Sequence, residues 1–296
     1  MDKTFGAQSM IAPLRRVVVK RPDAAFGSAD PARWHYSAPI NLARAQAEHD
    51  AFCDQLRKGG AEVIYHDEVL PNHADSIFTF DPALVTDHGA VLLNMGKALR
   101  RGEEAAMGRV LQRAGVPILG ALGGEAHAEC GDMLWLDEKT LAIGQGYRTN
   151  AAAVAELRAL LEPRGITILT GDLPYYTGPE ACLHLLSLIS IVDERLAVMY
   201  LPLFPVPLLQ ALERRGFRWV EVPEPEFLTQ GPNVLATAPG ECIMLEGNPI
   251  TRQRLIDAGC EVQTYRGEEL SFKAEGGATC LTRPILRGSA TIAGKS

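Results

Sequence analysis

One short pattern recurs five times along this 296-residue chain, and it limits the folds that the chain can adopt. Each occurrence is a helical stretch that ends at a glycine and is followed by a short apolar strand. A glycine is typical of the position just after a helix, where the backbone needs a positive φ that a Cβ would penalise. The five glycines, 43 to 55 residues apart, are Gly60, Gly115, Gly165, Gly216 and Gly259.

Strand-like runs also precede each helix, mostly in pairs separated by a turn of Asp, Glu, Gly or Lys. The repeating unit is therefore strand, strand, helix, strand. RRVVVK near the N-terminus and CLTRPILR near the C-terminus look like the two parts of one incomplete unit. Five such units with complementary ends predict a closed ring, formed by a single domain over residues 1–296. The alternative is an ordinary open α/β sheet, in which helix–glycine–strand junctions are also common.

The composition argues against two classes of partner. The net charge is −7, and no stretch concentrates Lys and Arg, so we expect binding neither to nucleic acid nor to an anionic membrane surface. No apolar run reaches the ~18 residues of a membrane span, and the N-terminal segment lacks a signal-peptide pattern. The six cysteines show no CxxC spacing, which favours reduced thiols in a cytoplasmic protein.

Polar residues stand at corresponding places in the five units, 14 to 21 residues after the glycine. The residues at these places are Asp75 and Asp81 in the first unit, Glu129 in the second, His184 in the third, Asn233 in the fourth and Cys280 in the fifth. Corresponding positions of a closed ring converge on its axis, so we expect the two Asp, the Glu, the His and the Cys to share one polar pocket.

These residue types form a chemically coherent set. Cys280 supplies a strong nucleophile at neutral pH, provided that a neighbour stabilises its thiolate. His184 can protonate a leaving group and then activate water, and Glu129 can orient its imidazole. A pair of carboxylates such as Asp75 and Asp81 matches a planar guanidinium. Each residue alone also has an ordinary explanation as a core, turn or cap residue, but their shared place in the repeat favours a functional one.

Five segments of the chain follow one another in an order known from one enzyme group: ADSIFTFDPALV, AECGDMLWL, GYRTN, CLHLLS and GGATCLTRP. They resemble the guanidino-group-modifying enzymes, and most of all the bacterial dimethylarginine dimethylaminohydrolase-like branch. The resemblance implies the pentein fold, a five-bladed α/β propeller of ββαβ units with pseudo-five-fold symmetry. It also implies a hydrolase that acts on a small guanidino substrate without a metal or an organic cofactor.

The same resemblance assigns a role to each residue of the expected pocket. Cys280 corresponds to the nucleophile, His184 to the general acid/base and Glu129 to its partner. Asp75 and Asp81 correspond to the residues that bind the guanidinium group.

Two arginines are assigned to the site by the resemblance alone, and three other positions differ from the family pattern. Arg100 in KALRRGEE and Arg148 in YRTN match positions that bind the substrate carboxylate. From the residues alone, Arg148 would be a solvated surface side chain and Arg100 a helix-start residue, a poor place for a cation.

Cys130 replaces the first of two paired glycines, Phe80 stands where many hydrolases carry an acid, and Leu186 stands where arginine deiminases carry an aspartate.

The implied reaction forms a covalent thiouronium on Cys280, which water then resolves. An amidinotransferase would use the same residues with an amine acceptor, and an arginine deiminase or dihydrolase is a further alternative. Outside this group, a zinc deaminase would use His127 and Glu129 as its H-x-E, with Cys182 as the nearest match to the later cysteines. A non-enzymatic propeller-shaped binding module would have no use for the reactive set. The sequence is also compatible with a homo-oligomer.

Overall fold

A computed structural model describes residues 3–181 and 183–288 of the chain; Cys182 lies outside the described residues. In chain order, its strands are β1 (Leu14–Val19), β2 (Glu62–Tyr65), β3 (Ala83–Thr86), β4 (Gly89–Leu92), β5 (Ile118–Ala121), β6 (Met133–Asp137), β7 (Thr140–Gln145), β8 (Thr167–Asp172), β9 (Ile189–Asp193), β10 (Leu196–Met199), β11 (Arg218–Glu221), β12 (Val234–Ala238), β13 (Glu241–Leu245), β14 (Glu261–Tyr265) and β15 (Arg283–Arg287). The α-helices are α1 (Ala24–Gly27), α2 (Pro31–Trp34), α3 (Leu42–Lys58), α4 (Glu103–Arg113), α5 (Ala151–Leu161), α6 (Val206–Arg214), α7 (Glu224–Phe227) and α8 (Pro249–Asp257).

These strands form five separate three-stranded sheets, in the orders β15-β1-β2, β3-β4-β5, β6-β7-β8, β9-β10-β11 and β12-β13-β14. In each sheet the first two strands are antiparallel and the last two are parallel. A long helix, namely α3, α4, α5, α6 or α8, connects the two parallel strands, as a parallel crossover requires. The five predicted ββαβ units are therefore confirmed as blades of a propeller.

The first blade is assembled from both ends of the sequence. β15 pairs with β1 in antiparallel fashion, so that Leu14 lies opposite Arg287 and Val18 opposite Arg283. The pairing confirms the prediction that RRVVVK and CLTRPILR are the two parts of one unit. It joins the last blade to the first, so hydrogen bonds rather than a chain connection close the ring.

The helix of the first blade shows how the local sequence builds each unit. In α3, Ala45, Phe52 and Leu56 are buried and Leu42 is half-buried, which gives the helix one apolar face against its sheet. Gly60 follows the helix with a φ of 87°, a left-handed conformation that reverses the chain toward β2. The corresponding glycines of the other four units also have φ values between 72° and 99°.

Irregular segments follow the third strand of each unit and lead to the first strand of the next. They contain single helical turns rather than long elements, among them Ala74–Ile77, Cys130–Asp132 and Leu185–Ser187. The predicted site residues lie in or next to these segments, at the same end of every blade. None of the described helices is long and apolar enough to span a membrane.

Candidate active site

The irregular segments meet around one narrow cavity at the hub, with a volume of about 40 Å³. Six of the seven predicted site residues line it, and the seventh, Glu129, lies fully buried against His184. The six are Asp75, Asp81, Arg100, Arg148, His184 and Cys280. Residues up to about 200 positions apart in the sequence are thus collected in one place, as the repeat predicts.

An imidazole–carboxylate pair forms the buried wall of the cavity. His184 Nε2 lies 2.7 Å from Glu129 Oε2, while Glu129 Oε1 accepts a hydrogen bond from the backbone N–H of Lys97 at 2.8 Å. Burial alone would raise the pKa of Glu129, but the hydrogen bond with His184, aided by the nearby Arg148, holds that pKa well below its ordinary value. The ionised carboxylate therefore requires a proton on Nε2 and fixes the orientation of the ring.

Gly131 allows the ring of His184 to lie against the backbone of the neighbouring segment. A Cβ at this position would lie 2.5 Å from His184 Nδ1 and 2.9 Å from Asp81 Oδ1. Only a glycine leaves room for both groups, which explains the glycine in the AECGD segment.

The two predicted guanidinium-binding acids are each already paired. Asp75 accepts a hydrogen bond from the Tyr36 hydroxyl at 2.7 Å and forms an ion pair with Lys97 Nζ at 2.6 Å. The Lys97 ammonium also lies 5.2 Å from the centre of the Trp34 ring, a cation–π contact. Because Asp75 is buried, a cationic substrate that binds it must compete with this lysine.

Asp81 is held from two sides. Its Oδ1 accepts the backbone N–H of Gly131 at 3.0 Å, and its Oδ2 pairs with Arg100 Nη1 at 2.5 Å. Arg100 is buried, and its other two nitrogens bond to Glu103 and to the carbonyl oxygen of Phe78. Each nitrogen of the Arg100 guanidinium thus has a protein acceptor, an arrangement that orients Asp81.

Arg148 is buried rather than solvated, which corrects the expectation drawn from its residue type alone. Its Nη2 donates to the carbonyl oxygen of Ala181 at 3.4 Å, and its Nη1 lies 3.6 Å from Glu129 Oε2. The backbone of Gly96 approaches Arg148 so closely that a Cβ there would lie 2.5 Å from the Arg148 carbonyl oxygen. Packing between distant segments thus brings this guanidinium to the cavity.

The candidate nucleophile is half-buried, whereas Cys53, Cys130, Cys242 and Cys260 are buried. Cys280 Sγ accepts a hydrogen bond from Asn233 Nδ2 at 3.3 Å. The same amide is oriented because its Oδ1 accepts the backbone N–H of Thr279 at 3.0 Å. A donor at this position stabilises a thiolate.

Three further contributors were not predicted as site residues. The sequence assigns no role to Asn233, although this residue has the right offset in the repeat, and none to Lys97, three residues before Arg100 in KALRRGEE. Glu275 lines the mouth of the cavity with a φ of 58°, and burial raises its pKa. Its place directly before two glycines is the signal that could have found it, since a loop that approaches a site closely needs such residues.

The mouth of the cavity is bridged by a contact between two loops. His35 Nε2 lies 2.9 Å from Glu180 Oε2, and both residues line the cavity. A second cavity of about 290 Å³ begins beyond this bridge and is lined in part by Tyr176 and Phe227. The inner site is therefore shielded from solvent but adjoins a larger vestibule.

Among the described residues, Asp81, Glu129 and His184 place ligand atoms within 4.8 Å of one another, a spacing that a metal ion could use. His127, which the zinc deaminase alternative requires as a ligand, is not part of this group, and its Nε2 lies 3.5 Å from the guanidinium of Arg101. A neighbouring cation disfavours metal binding, so the geometry does not support that alternative.

Proteins of known activity are similar to this chain in sequence and in fold. A dimethylarginine dimethylaminohydrolase of Streptomyces coelicolor is 28% identical over 284 residues, covering 91% of this chain and 96% of that protein. The structure of a Pseudomonas aeruginosa dimethylarginine dimethylaminohydrolase, solved with citrulline, superposes with a TM-score of 0.77 at 21% identity over 92% of this chain and all of the other. The amidinotransferase SxtG of Microseira wollei gives a TM-score of 0.80 at 17% identity over 96% and 97% of the two chains.

The match to a family model and the relatives in sequence confirm the predicted guanidino-group-modifying superfamily, and the five sheets and the structural neighbours confirm its five-bladed propeller. Residues 22–287 match the family described as N,N dimethylarginine dimethylhydrolase, eukaryotic. The chain therefore belongs to the dimethylarginine dimethylhydrolase family.

Proposed function

We propose that this protein is a cysteine-dependent hydrolase of a guanidine C–N bond in a small, arginine-like substrate. The observation that carries the proposal is the meeting of a thiol, a paired imidazole and two carboxylates around one narrow cavity. Membership of the dimethylarginine dimethylhydrolase family supports it. Because the chemistry needs a reduced thiol, we also propose a reducing compartment such as the cytoplasm.

In the proposed first step, Asp75 and Asp81 fix the plane of the substrate guanidinium, and Lys97 yields part of its contact with Asp75. Cys280 attacks the central carbon as a thiolate and forms a C–S bond. His184 transfers a proton to the nitrogen that leaves, so an amine or ammonia departs and a thiouronium remains on the sulfur. Fixed acids in a site that excludes water favour this addition to a resonance-stabilised group.

In the second step, water attacks the same carbon while His184 accepts a proton from it. The C–S bond breaks, a urea-type product leaves, and the thiolate returns to the contact with Asn233. Glu129 keeps the imidazole in one orientation through both steps and balances its positive charge.

The substrate's carboxylate requires a cation at a distance from the reacting carbon. Arg148, which lines the cavity, fits this predicted role. Arg100 is saturated by protein acceptors, so we assign it the positioning of Asp81 in place of the carboxylate contact that the resemblance implies.

Transfer to an amine instead of water is the second candidate, because the amidinotransferase SxtG shares the fold. The family that matches residues 22–287 is described as a dimethylhydrolase of N,N dimethylarginine, which supports transfer to water. We therefore favour hydrolysis. Product analysis with and without glycine or lysine as acceptor separates the two reactions.

A panel of guanidino compounds, assayed for ammonia, methylamines and ureido product, tests the reaction. Labelling with chloroacetamidine, a guanidinium-like electrophile, tests the site. We expect one label per chain, lost in Cys280→Ala and retained in the matched variant Cys260→Ala. Labelling that persists without Cys280, or a panel with no ureido product, would contradict the proposal.

A further inference from the structure

The far end of the hub, beyond the acids of the active site, contains two buried arginines of β15. Arg283 and Arg287 expose only 4% and 6% of their surface. In the described part of the chain neither forms an ion pair with a carboxylate, whereas the buried Arg100 of the active site has two. A buried guanidinium without a counter-charge is costly, so this pair requires an explanation.

Arg283 is held by neutral groups. Its Nη1 donates to the carbonyl oxygens of Phe80 at 2.9 Å and Ala83 at 2.6 Å and lies 3.1 Å from Cys130 Sγ. The guanidinium carbon lies 4.0 Å from the centre of the Phe80 ring. Phe80 and Cys130 thus both contact the same arginine.

One donor of Arg283 remains unsatisfied within this environment. Its Nε is buried from solvent and has no hydrogen-bond partner among the described residues. Arg287 donates from Nη1 to the carbonyl oxygen of Ala12 at 2.8 Å, again a neutral acceptor. Burial and the neighbouring Arg283 lower the pKa of Arg287 to about 9, in line with two like charges held close in a low-dielectric environment.

Both arginines line a small cavity of about 20 Å³ whose other walls are mostly apolar. This volume exceeds the ~10–15 Å³ that one water molecule requires, but it is too small for a phosphate, a sulfate or a carboxylic acid. The cavity shares Ser9, Met10 and Trp135 with an open surface groove of about 670 Å³, which provides a route from solvent.

We propose that the cavity between Arg283 and Arg287 is a binding site for one small monovalent anion of halide size, such as chloride. The anion accepts the unsatisfied Nε–H of Arg283 and neutralises part of the charge of both guanidinium groups. It replaces the carboxylate that the sequence does not supply at this end of the hub. The inference does not depend on the reaction proposed above, because it rests on other residues.

Crystals of the full chain grown or soaked in sodium bromide test the site directly. We expect an anomalous peak inside the cavity, within hydrogen-bond distance of Arg283 Nε. Bromide found at surface positions only, as an adventitious ion, with water or nothing in the cavity, overturns the proposal even if no variant can be prepared.

Thermal unfolding in sodium bromide, with sodium gluconate at equal ionic strength as reference, provides the second measurement. Gluconate is too large for the cavity, so we expect a saturable rise of Tm in bromide alone, by roughly 5 °C at ~100 times the Kd. The rise is lost in Arg283→Met and retained in Arg214→Met, which removes an exposed arginine of the adjoining groove. Equal Tm values in the two salts, or a rise that survives Arg283→Met, contradict the site.

Discussion

The two ends of the hub differ in the groups that surround their buried charges. At the catalytic end three buried acids each face a basic side chain; the pairs are Asp75 with Lys97, Asp81 with Arg100 and Glu129 with His184. At the other end Arg283 and Arg287 are buried among carbonyl oxygens, a thiol and an aromatic ring.

This difference shows where each end obtains its missing charge. The cationic substrate proposed here would meet Asp75 and Asp81 already paired with Lys97 and Arg100, so it would bind by exchange with an internal cation. The opposite end has cations in excess and must obtain an anion from solution.

The largest effect is expected for Cys280→Ser, which keeps the shape of the side chain but removes the strong nucleophile. We expect kcat to fall at least ~10⁴-fold, since a hydroxyl at neutral pH cannot replace a thiolate. Steady-state kinetics give the loss, and an unchanged Tm shows that the fold is intact. A variant that still turned over at a tenth of the normal rate would remove Cys280 from the mechanism.

Glu129→Gln tests whether the carboxylate acts through the imidazole. The amide does not balance the charge that His184 acquires, and its single oxygen cannot accept both the Nε2–H of His184 and the backbone N–H of Lys97. We therefore expect kcat to fall ~10²–10⁴-fold with a smaller change in KM. A matched change in both parameters, or none, would show that Glu129 serves the fold alone.

Gly131→Ala tests how closely the catalytic end is packed. The added methyl group would lie 2.5 Å from His184 Nδ1, so the ring or the backbone must shift. We expect kcat/KM to fall ~10²-fold, as displacements of about 1 Å can cause. Gly123→Ala is the control, because no atom lies within 4 Å of a Cβ there and its activity should be unchanged.

Asp132 is an acid of the catalytic end without an ion pair to a described cation, and burial raises its pKa from 3.8 to about 6. Between pH 4 and 6 the folded protein therefore retains a proton that the unfolded chain has released, and the free energy of unfolding falls as pH rises. Asp132→Asn removes this dependence. From pH 4 to 7 its stability relative to the native protein should rise by ~2–3 kcal/mol, measured by urea unfolding. A constant difference would place the pKa of Asp132 near its ordinary value.

The smallest effect on catalysis is expected at the far end. Arg287→Met removes one buried cation whose side-chain hydrogen bond goes to Ala12, a residue outside the active-site cavity. We therefore expect kcat to stay within about twofold of the native value. The same variant should respond less to halide in thermal unfolding. A large loss of activity would show that the two ends of the hub are coupled.

The sequence predicts most of the fold because its signals are local. A glycine follows each of the five amphipathic helices and a hairpin precedes four of them, and the structure confirms all five units. The common offset from the glycine also predicts the convergence of Asp75, Glu129, His184 and Cys280. In a ring of repeats, residues at the same offset in each unit lie at corresponding positions around the axis. The repeat therefore predicts contacts between residues that are far apart in the sequence.

What the sequence does not predict depends on packing between units. The sequence suggests a surface position for Arg148, but packing against Gly96 and the hydrogen bond to Ala181 bury it. Arg100 has its donors taken up by three separate groups, a fact that no spacing reveals. Arg283 stands in a run recognised only as an edge strand, and its burial follows from ring closure.

Ring closure also sets the order in which the protein becomes reactive during its synthesis. Cys280 lies three residues before β15, the strand that completes the first blade. On the ribosome the imidazole, its carboxylate and the acids proposed to bind substrate emerge first, and the thiol of Cys280 follows only just before the strand that completes the first blade. If Cys280 is the nucleophile, as proposed, a nascent chain therefore gains its reactive group in the same stretch of sequence that completes the ring.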